Sequence, residues 1–302
     1  MGLLAVSAIW LAASGCVVKR TVKIVVPQGI RQAKTAGFDE LLAIIRGYDK
    51  INTLSCSDME LTFTSLRKRD AGELEKYRSL RGYILLRRPD SVHFVLLIPI
   101  TKSRFVDVLS VGDRLSVWSP RENRFYEGKN SAKELVFEET AGSREFKIPI
   151  RGPHIIEAIF PQSIGFDFPG IWLGVDEQTD GRVSYYVLTV SKEGSGRGIP
   201  RRIHTLRKIW IERFGLTIAR QQVFGDEGEM VSDILYSDEV QIDGFPLPLQ
   251  IHIDRPVDGY MLDLKFKGWS INPELPDDAF ELTAPPGAET VRLKEKGRSG
   301  TS

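Results

Sequence analysis

The amino-acid sequence predicts a mainly β (α+β) fold, in which an antiparallel sheet of about 11 strands curls into a barrel or half-barrel covered by two or three helices. Short runs of alternating apolar and polar residues follow one another at regular intervals along the chain. The segments between these runs carry the Gly, Pro and Asp pairs that are typical of tight turns. Clear helical periodicity is confined to a segment near residue 40, with a shorter candidate near residue 155.

The first predicted element is a helix over residues 38–48. Its apolar residues recur at the spacing that places side chains on one helical face, and they are Phe38, Leu41, Leu42, Ile45 and Tyr48. Asp39 and Glu40 fall in the first turn, where carboxylates favour the positive end of the helix dipole.

Strands are predicted next, because the residues alternate and turn signals separate the runs. In the first half of the chain they span 55–69, 77–88, 91–98, 105–111, 114–118 and 124–128. A short helix is predicted at 154–160, since Pro153 stands near its start, and 166–174 is predicted to be a loop or lid. Strands then resume at 183–191, 202–211, 216–224, 229–241, 247–254 and 260–271, and residues 292–302 are predicted to form a disordered tail.

The N-terminus has the pattern of an export signal. An apolar run from Leu3 to Ala13 is shorter than the roughly twenty residues that span a bilayer, and it fits the apolar core of a signal peptide. Three small residues then precede Cys16, which resembles the lipobox where bacterial lipoproteins are acylated and cleaved. We therefore predict a lipoprotein signal peptide over 1–15, lipidation of Cys16 and a tether over 16–36. The alternative is an N-terminal helix packed on the core, with Cys16 incidental.

Anchoring and composition together indicate an envelope protein. Two or three acyl chains hold a protein stably on a membrane, and Val17 rather than Asp after the cysteine favours the outer membrane, facing the periplasm. The formal net charge of +1 argues against nucleic acid as a partner. The basic run 197–208 either touches lipid head groups or forms the exposed side of a strand.

Enzymatic motifs are missing from the sequence. It contains no nucleophile elbow, phosphate-binding loop, paired zinc spacing or dinucleotide fingerprint, and the four histidines are far apart along the chain. We therefore predict a protein that is not an enzyme and has no cofactor or metal. His93 and His252 are expected to be surface or hydrogen-bonded groups, and Cys56 is expected to be a buried, unpaired residue.

Three stretches of the sequence resemble the LolA/LolB lipoprotein-sorting family. Leu42–Leu54 is similar to the family's opening helix and first strand, and Arg87–Asp90 with Phe94–Arg104 is similar to its hairpin and following loop. Asn272–Val291, with its Phe and Pro-Pro-Gly segment, resembles the family's C-terminal signature. The resemblance implies a half-barrel over residues 37–291, with an apolar concave face lidded by helices.

That resemblance also implies candidate site residues. The membrane-anchored members carry an exposed aliphatic residue on a loop after the third strand, which corresponds here to Pro99–Arg104 and to Ile100 as a membrane-insertion residue. Ile100 could instead pack under its loop. The expected lining of an acyl-chain cavity is Met59, Leu61, Phe63, Ile84, Leu86, Phe94, Leu96, Trp118 and Trp210, although each could equally be an ordinary core residue.

Two functions from different classes follow. The first is a carrier or acceptor in lipoprotein or lipid sorting to the outer membrane, which binds acyl chains and meets a periplasmic carrier protein. The second is a non-catalytic sensor or binding lipoprotein that uses the same fold to recognise a protein or envelope ligand. A purely structural role in an envelope complex is a weaker third.

Overall fold

The structure is a computed structural model that describes residues 33–66, 75–76, 79–131, 135–136, 150–163, 165–181, 183–194 and 203–295. The predicted signal peptide, Cys16 and the tether as far as residue 32 lie outside these residues. The end of the predicted tether contacts the sheet. The Lys34 amide donates to the Arg213 carbonyl at 2.9 Å, and the Ala36 amide donates to the Tyr186 hydroxyl at 3.1 Å.

Both predicted helices are present. Helix α1 spans Phe38–Gly47 and continues into a 3-10 turn at Tyr48–Lys50, while helix α2 spans Gly152–Ile159 with Pro153 in its first turn. Helix α1 buries Leu41, Leu42 and Ile45 as its apolar stripe predicts. No helix that the structure describes has the length and apolarity needed to span a bilayer.

The strands of the first half follow one another closely along the chain. They are β1 (Thr53–Ser65), β2 (Glu75–Lys76), β3 (Leu80–Arg87), β4 (Ser91–Leu97), β5 (Arg104–Val111), β6 (Arg114–Ser119), β7 (Arg124–Lys129) and β8 (Leu135–Val136). After α2 come β9 (Ile171–Asp180), β10 (Val183–Glu193), β11 (Ile203–Glu212), β12 (Thr217–Phe224) and β13 (Met230–Ile242). The last strands are β14 (Phe245–Arg255), β15 (Tyr260–Phe266), β16 (Ser270–Ile271), β17 (Glu289–Arg292) and β18 (Lys294–Glu295).

Strand β1 lies inside the main sheet, between β3 and β15. From β3 the chain meanders to β7, and after α2 it enters β9 at the opposite edge and returns strand by strand to β15. Neighbouring strands are antiparallel except β17, which pairs in parallel with β7. Among the described residues the sheet is open, since its order runs from β17 to β9 without closing. The predicted mainly β fold with an antiparallel meander is therefore confirmed, as an open sheet.

The predicted number of strands is wrong. Within the described residues the main sheet has 16 strands, because short strands such as β2 and β16 join it and because β9 starts inside the predicted loop 166–174. The strand predicted over 260–271 is divided into β15 and β16. Arg292 lies in β17 and Lys294–Glu295 form β18, so the first residues of the predicted tail take part in strands.

One large apolar core lies between the two helices and one face of the sheet. Inward-facing side chains of neighbouring strands meet in register, as where Ile84 of β3 pairs with Phe94 of β4 and Leu61 of β1 pairs with Leu264 of β15. Cys56 is buried in this core, as predicted. We call the helix-covered side the inner face and the other side the outer face.

A smaller apolar cluster covers part of the outer face. The 3-10 turn Asp277–Phe280 places Ala279 and Phe280 against Leu109 of β5. His93 is fixed there, with its Nδ1 2.7 Å from the Ala279 carbonyl and its Nε2 2.7 Å from Asp107 Oδ1. His252 lies 2.7 Å from Asp263 Oδ1. Both histidines are hydrogen-bonded, as predicted.

Gly82 of β3 has no room for a side chain. A Cβ there would lie 1.9 Å from the Val95 carbonyl oxygen, which is backbone and is held in the β3–β4 pairing. Gly82→Ala is therefore expected to lower the free energy of unfolding by about 1–3 kcal/mol or more, measured by urea denaturation. Gly47→Ala is the control, because nothing lies within 4 Å of its Cβ position. A helical Ala there should be neutral or stabilising, and equal losses in both variants would contradict the packing described.

Candidate functional site: the helix-covered inner face

Seven of the nine predicted lining residues come together on the inner face. They are all buried in the apolar core beneath the helices, and they are Met59, Leu61, Phe63, Ile84, Leu86, Phe94 and Leu96. Their strands β1, β3 and β4 are adjacent in the sheet. These side chains pack against one another and against the helices, so in this structure they form a filled core.

The two predicted tryptophans do not belong to this face. Val117 and Ile209 contribute to the core, and successive side chains of a strand point to opposite faces, so Trp118 and Trp210 point outwards. The Trp210 indole donates to Gln178 Oε1 at 3.4 Å, and the Arg220 guanidinium lies 5.1 Å from its ring centre. The assignment of both residues to an acyl-chain cavity is wrong, because they lie on the outer face.

A pocket is present elsewhere on the inner face, with a volume of about 210 Å³. It is lined by residues of strands β11–β14 and by the ends of both helices, including Tyr48, Ile159, Ile218, Tyr236, Glu239 and Pro246. None of the nine predicted lining residues borders it. Sites for drug-sized ligands are usually about 300–1,000 Å³ and mostly apolar, so this pocket is small and partly polar by comparison.

Arg88 links the ends of both helices. Its Nη2 donates to the Tyr48 carbonyl at 3.2 Å, its Nη1 lies 3.6 Å from Asp49 Oδ1, and its guanidinium lies 4.5 Å from the centre of the Phe160 ring. Tyr48 follows α1 and Phe160 follows α2, while the Ser163 hydroxyl donates to Asp49. Burial lowers the pKa of Arg88 and the nearby Asp49 carboxylate raises it, with burial the larger effect.

A second polar cluster fastens α2 to the inner face. Glu157 of α2 lies 3.4 Å from Arg255 Nη1 and 3.9 Å from Arg207 Nη2, and Arg255 Nε donates to Asp258 Oδ2 at 2.6 Å. Burial raises the pKa of the Glu157 carboxyl, and the two arginines counteract the rise only in part. A buried carboxylate is tolerated when charged donors face it, so these arginines hold the position of the helix.

The sheet also caps the C-terminal end of α2. The Tyr236 hydroxyl donates to the Ala158 carbonyl at 2.8 Å, Gln221 Nε2 to the Glu157 carbonyl at 3.2 Å, and Arg207 Nη1 to the Gln162 carbonyl at 2.8 Å. The last carbonyls of a helix have no partner within it. Here Tyr236 of β13 and Gln221 of β12 supply that partner, while Arg207 of β11 binds the segment that follows the helix, so this end of α2 is tied to the sheet.

His154 of α2 is held as a neutral imidazole. Its Nδ1 lies 2.6 Å from the Tyr260 hydroxyl, and its Nε2 lies 4.0 Å from Asp258 Oδ2. Burial lowers the pKa of His154 to about 2, and the positive charges of Arg255 and Arg151 add to the effect. The imidazole is therefore neutral over the whole physiological range.

This buried histidine makes stability fall in acid. Below pH 6.5 His154 becomes protonated in the unfolded chain, whereas in the folded chain it stays neutral down to about pH 2. The free energy of unfolding therefore falls as the pH falls from 6.5 to about 2. The expected slope is about 1.4 kcal/mol per pH unit from this group. The free energy of unfolding, measured by urea denaturation between these limits, should fall more steeply with falling pH in the wild type than in His154→Gln, by that slope. Parallel pH profiles would show that His154 takes up a proton when folded.

Ile100 lies in the turn between β4 and β5 and is 93% exposed. The alternative in which it packs under its own loop is wrong, since the side chain points to solvent. Within the described residues, no three His, Cys, Asp or Glu side chains gather as metal ligands would.

No protein-family model matches this chain, and no curated protein is significantly similar to it. Three solved bacterial structures are similar in fold at low sequence identity. A DUF1329 family protein from Desulfovibrio piger is 17% identical, with a TM-score of 0.49, and the match covers 80% of this chain and 94% of that one. A LolA superfamily protein from Nitrosomonas europaea is 13% identical, with a TM-score of 0.43 and coverage of 80% and 97%.

The third structure is a domain from Vibrio parahaemolyticus named for outer membrane lipoprotein sorting. It is 13% identical, with a TM-score of 0.44 and coverage of 80% and 93%.

Proposed function

We propose that this protein is a non-enzymatic envelope lipoprotein whose inner face binds acyl chains, acting as a carrier or acceptor in lipoprotein or lipid sorting. The single observation that supports this most is the inner face itself. Its core is apolar and continuous beneath two helices, and those helices are fastened by a limited set of side-chain contacts, namely the clusters around Arg88 and Glu157 and the hydrogen bonds to the C-terminal end of α2. Such a cover can detach as a unit without breaking any strand pairing of the sheet.

An acyl chain can replace the apolar contacts of one helix energetically. It offers no hydrogen bonds, and burial contributes about 0.8 kcal/mol for each methylene, so a chain of about 14 methylenes gains about 11 kcal/mol before other costs. That gain is comparable with the burial lost when a helix with several core side chains lifts away. On this proposal the filled core is the empty, closed state of the binding site.

The wider proposal keeps the expectations for the rest of the chain. Cys16 carries the lipid anchor in the outer membrane, facing the periplasm, and Ile100 enters the membrane surface. A periplasmic carrier protein delivers the acylated cargo. The exposure of Ile100 supports its part in this scheme.

The second candidate is a non-catalytic sensor or binding lipoprotein. It is favoured by the filled inner face and by the small pocket, which is partly lined by the carboxylates Glu212, Asp238 and Glu239. In that case the helices are permanent parts of the core, and recognition of a protein or envelope ligand takes place on the surface.

Binding of a fluorescent C16 fatty acid to the full chain separates the two candidates. Arg88→Ala removes the contact shared by both helices, so it should speed uptake of the probe, while lipid extracted from the purified wild type should include acyl chains. Arg87→Ala is a matched control, because Arg87 lies 4.3 Å from the Phe280 ring on the outer face and should leave uptake unchanged. If neither the wild type nor Arg88→Ala binds the probe, the carrier proposal is wrong.

A further inference from the structure

Large exposed apolar side chains are gathered at one end of the sheet. Among the described residues seven large hydrophobic side chains are exposed, and five of them lie in loops or strand ends: Ile100 (93% exposed), Ile203 (69%), Phe168 (63%), Trp172 (62%) and Val257 (62%). The other two, Phe38 and Leu235, lie on α1 and in β13. The pairing of the strands shows where the five lie relative to one another.

Strand pairing places all five at the same end. Ile100 lies in the turn that follows the pair Leu97–Arg104 of β4 and β5. This end of β4 pairs with the start of β3, which pairs with the second half of β1. That half of β1 ends where Ser65 pairs with Tyr260 of β15. Val257 lies in the turn closed by Arg255 and Tyr260. Ile203 pairs with Glu193, and the neighbouring Lys192 pairs with Ile171 at the start of β9, beside Phe168 and Trp172. We call this end of the sheet the apolar end.

The five side chains are spread along the apolar end as separate points. Adjacent strands are about 4.8 Å apart, so Trp172 and Ile203, two strands apart, are separated by about 10 Å. Nine strand spacings separate β4 from β9, which is about 43 Å along the curve of the sheet. Val257 lies about midway, between β14 and β15.

We infer that the apolar end is a membrane-docking surface with a second contact point, formed by Phe168, Trp172 and Ile203, at the β9 side of the sheet. A protein partner needs a continuous complementary patch of about 800 Å² on each side, whereas isolated apolar points suit a fluid lipid surface that needs no matching shape. Tryptophan, here at the start of β9, also favours the boundary between water and acyl chains. This inference goes beyond the proposed function, since it concerns the apolar end rather than the inner face and requires no bound cargo.

Charge indicates which lipids such a surface accepts. Lys102 and Arg104 stand near Ile100, but Asp167 precedes Phe168, and Lys192 is paired with Asp226 near Ile203. The described charges of the apolar end are therefore mixed in sign. Vesicles of zwitterionic phosphatidylcholine are therefore a suitable first probe, because they test the apolar contact without a contribution from lipid charge.

Quenching by brominated phosphatidylcholine tests the inference. Trp10 lies in the apolar run at the N-terminus, so every protein in this test also carries Trp10→Phe, and this background serves as the wild type. The full chain, incorporated in such vesicles, should lose part of its tryptophan emission, and this loss should disappear in Trp172→Phe, which keeps an apolar ring. Phe168→Ser combined with Ile203→Ser should also reduce quenching of Trp172, because the contact point is broken. Leu235→Ser is the matched control, being an exposed apolar residue away from this end, and should leave quenching unchanged.

Two results would overturn the inference. Equal quenching in the wild type and in Trp172→Phe would show that Trp172 does not reach the acyl chains. An equal loss in Leu235→Ser and in the Phe168–Ile203 double variant would show a general effect of polarity. Far-UV circular dichroism of each variant checks that the sheet is intact. Since fatty-acid binding is measured separately, the carrier proposal and this one can fail independently.

Discussion

Arg255→Ala is expected to lower the free energy of unfolding by about 3 kcal/mol, because it removes a buried guanidinium and leaves the half-buried Glu157 and Asp258 without their nearest cation. Removal of one member of a buried ion pair costs far more than the pair contributes in net terms, since the remaining charge stays desolvated. Arg207, 3.9 Å from Glu157, compensates only in part. Equilibrium denaturation in urea at neutral pH measures the effect.

An exposed ion pair on the same side of the molecule provides the control. Arg46 of α1 lies 3.1 Å from Asp167, and the side chains of both are well exposed, so Arg46→Ala should cost less than about 1 kcal/mol. A loss of similar size in the two variants would mean that water reaches Glu157 and that α2 is not fastened as described.

Phe94→Ala is expected to cost about 3–5 kcal/mol if the inner face is a filled core, because both the transfer free energy and the cavity left behind count against the folded state. Phe94 is buried under the helices and pairs with Ile84 and Val108 on its neighbouring strands. If these residues lined an open cavity instead, removal of the ring would merely enlarge that cavity and the cost would be much smaller. Thermal and urea denaturation both report the difference.

Trp210→Ala controls for the loss of an aromatic ring. Its side chain lies on the outer face against Arg220 and is only partly buried, so the expected cost is smaller than that of Phe94→Ala. A large loss at Trp210 with a small one at Phe94 would reverse the assignment of the two faces.

The sequence predicts the local elements well, for an identifiable reason. Alternation of side chains marks one buried face, and in β1 the residues Met59, Leu61 and Phe63 are buried as this alternation predicts. Strand β9 was missed because it is an edge strand that is mostly exposed, with only Ile171, Leu173 and Val175 partly buried. Its first residues do alternate, but the aromatic, Gly and Pro residues of 166–174 indicated a loop, and residues 176–180 are polar without alternation.

The candidate site could be predicted only in part. Alternation assigned seven core residues correctly, but it does not distinguish a filled core from a lidded cavity, since both require apolar side chains facing inwards. Trp118 and Trp210 were misplaced because large aromatic residues were assumed to point inwards. The charged clusters were missed for the converse reason, because Arg88, Glu157 and Arg255 look like surface residues until the fold brings their partners together.

The position of β1 has a consequence for how this chain folds. In its pairing with β15, Met59 lies opposite Phe266 and Ser65 lies opposite Tyr260. One edge of β1 therefore has no partner until residues about two hundred positions later in the chain are in place. Closing so long a loop early costs chain entropy, and sheets built on distant pairings fold slowly. Until the second meander returns, β1 has an unpaired edge beside an apolar face, which is the kind of surface that aggregates. The chain is therefore expected to be most prone to aggregation before β15 has paired with β1.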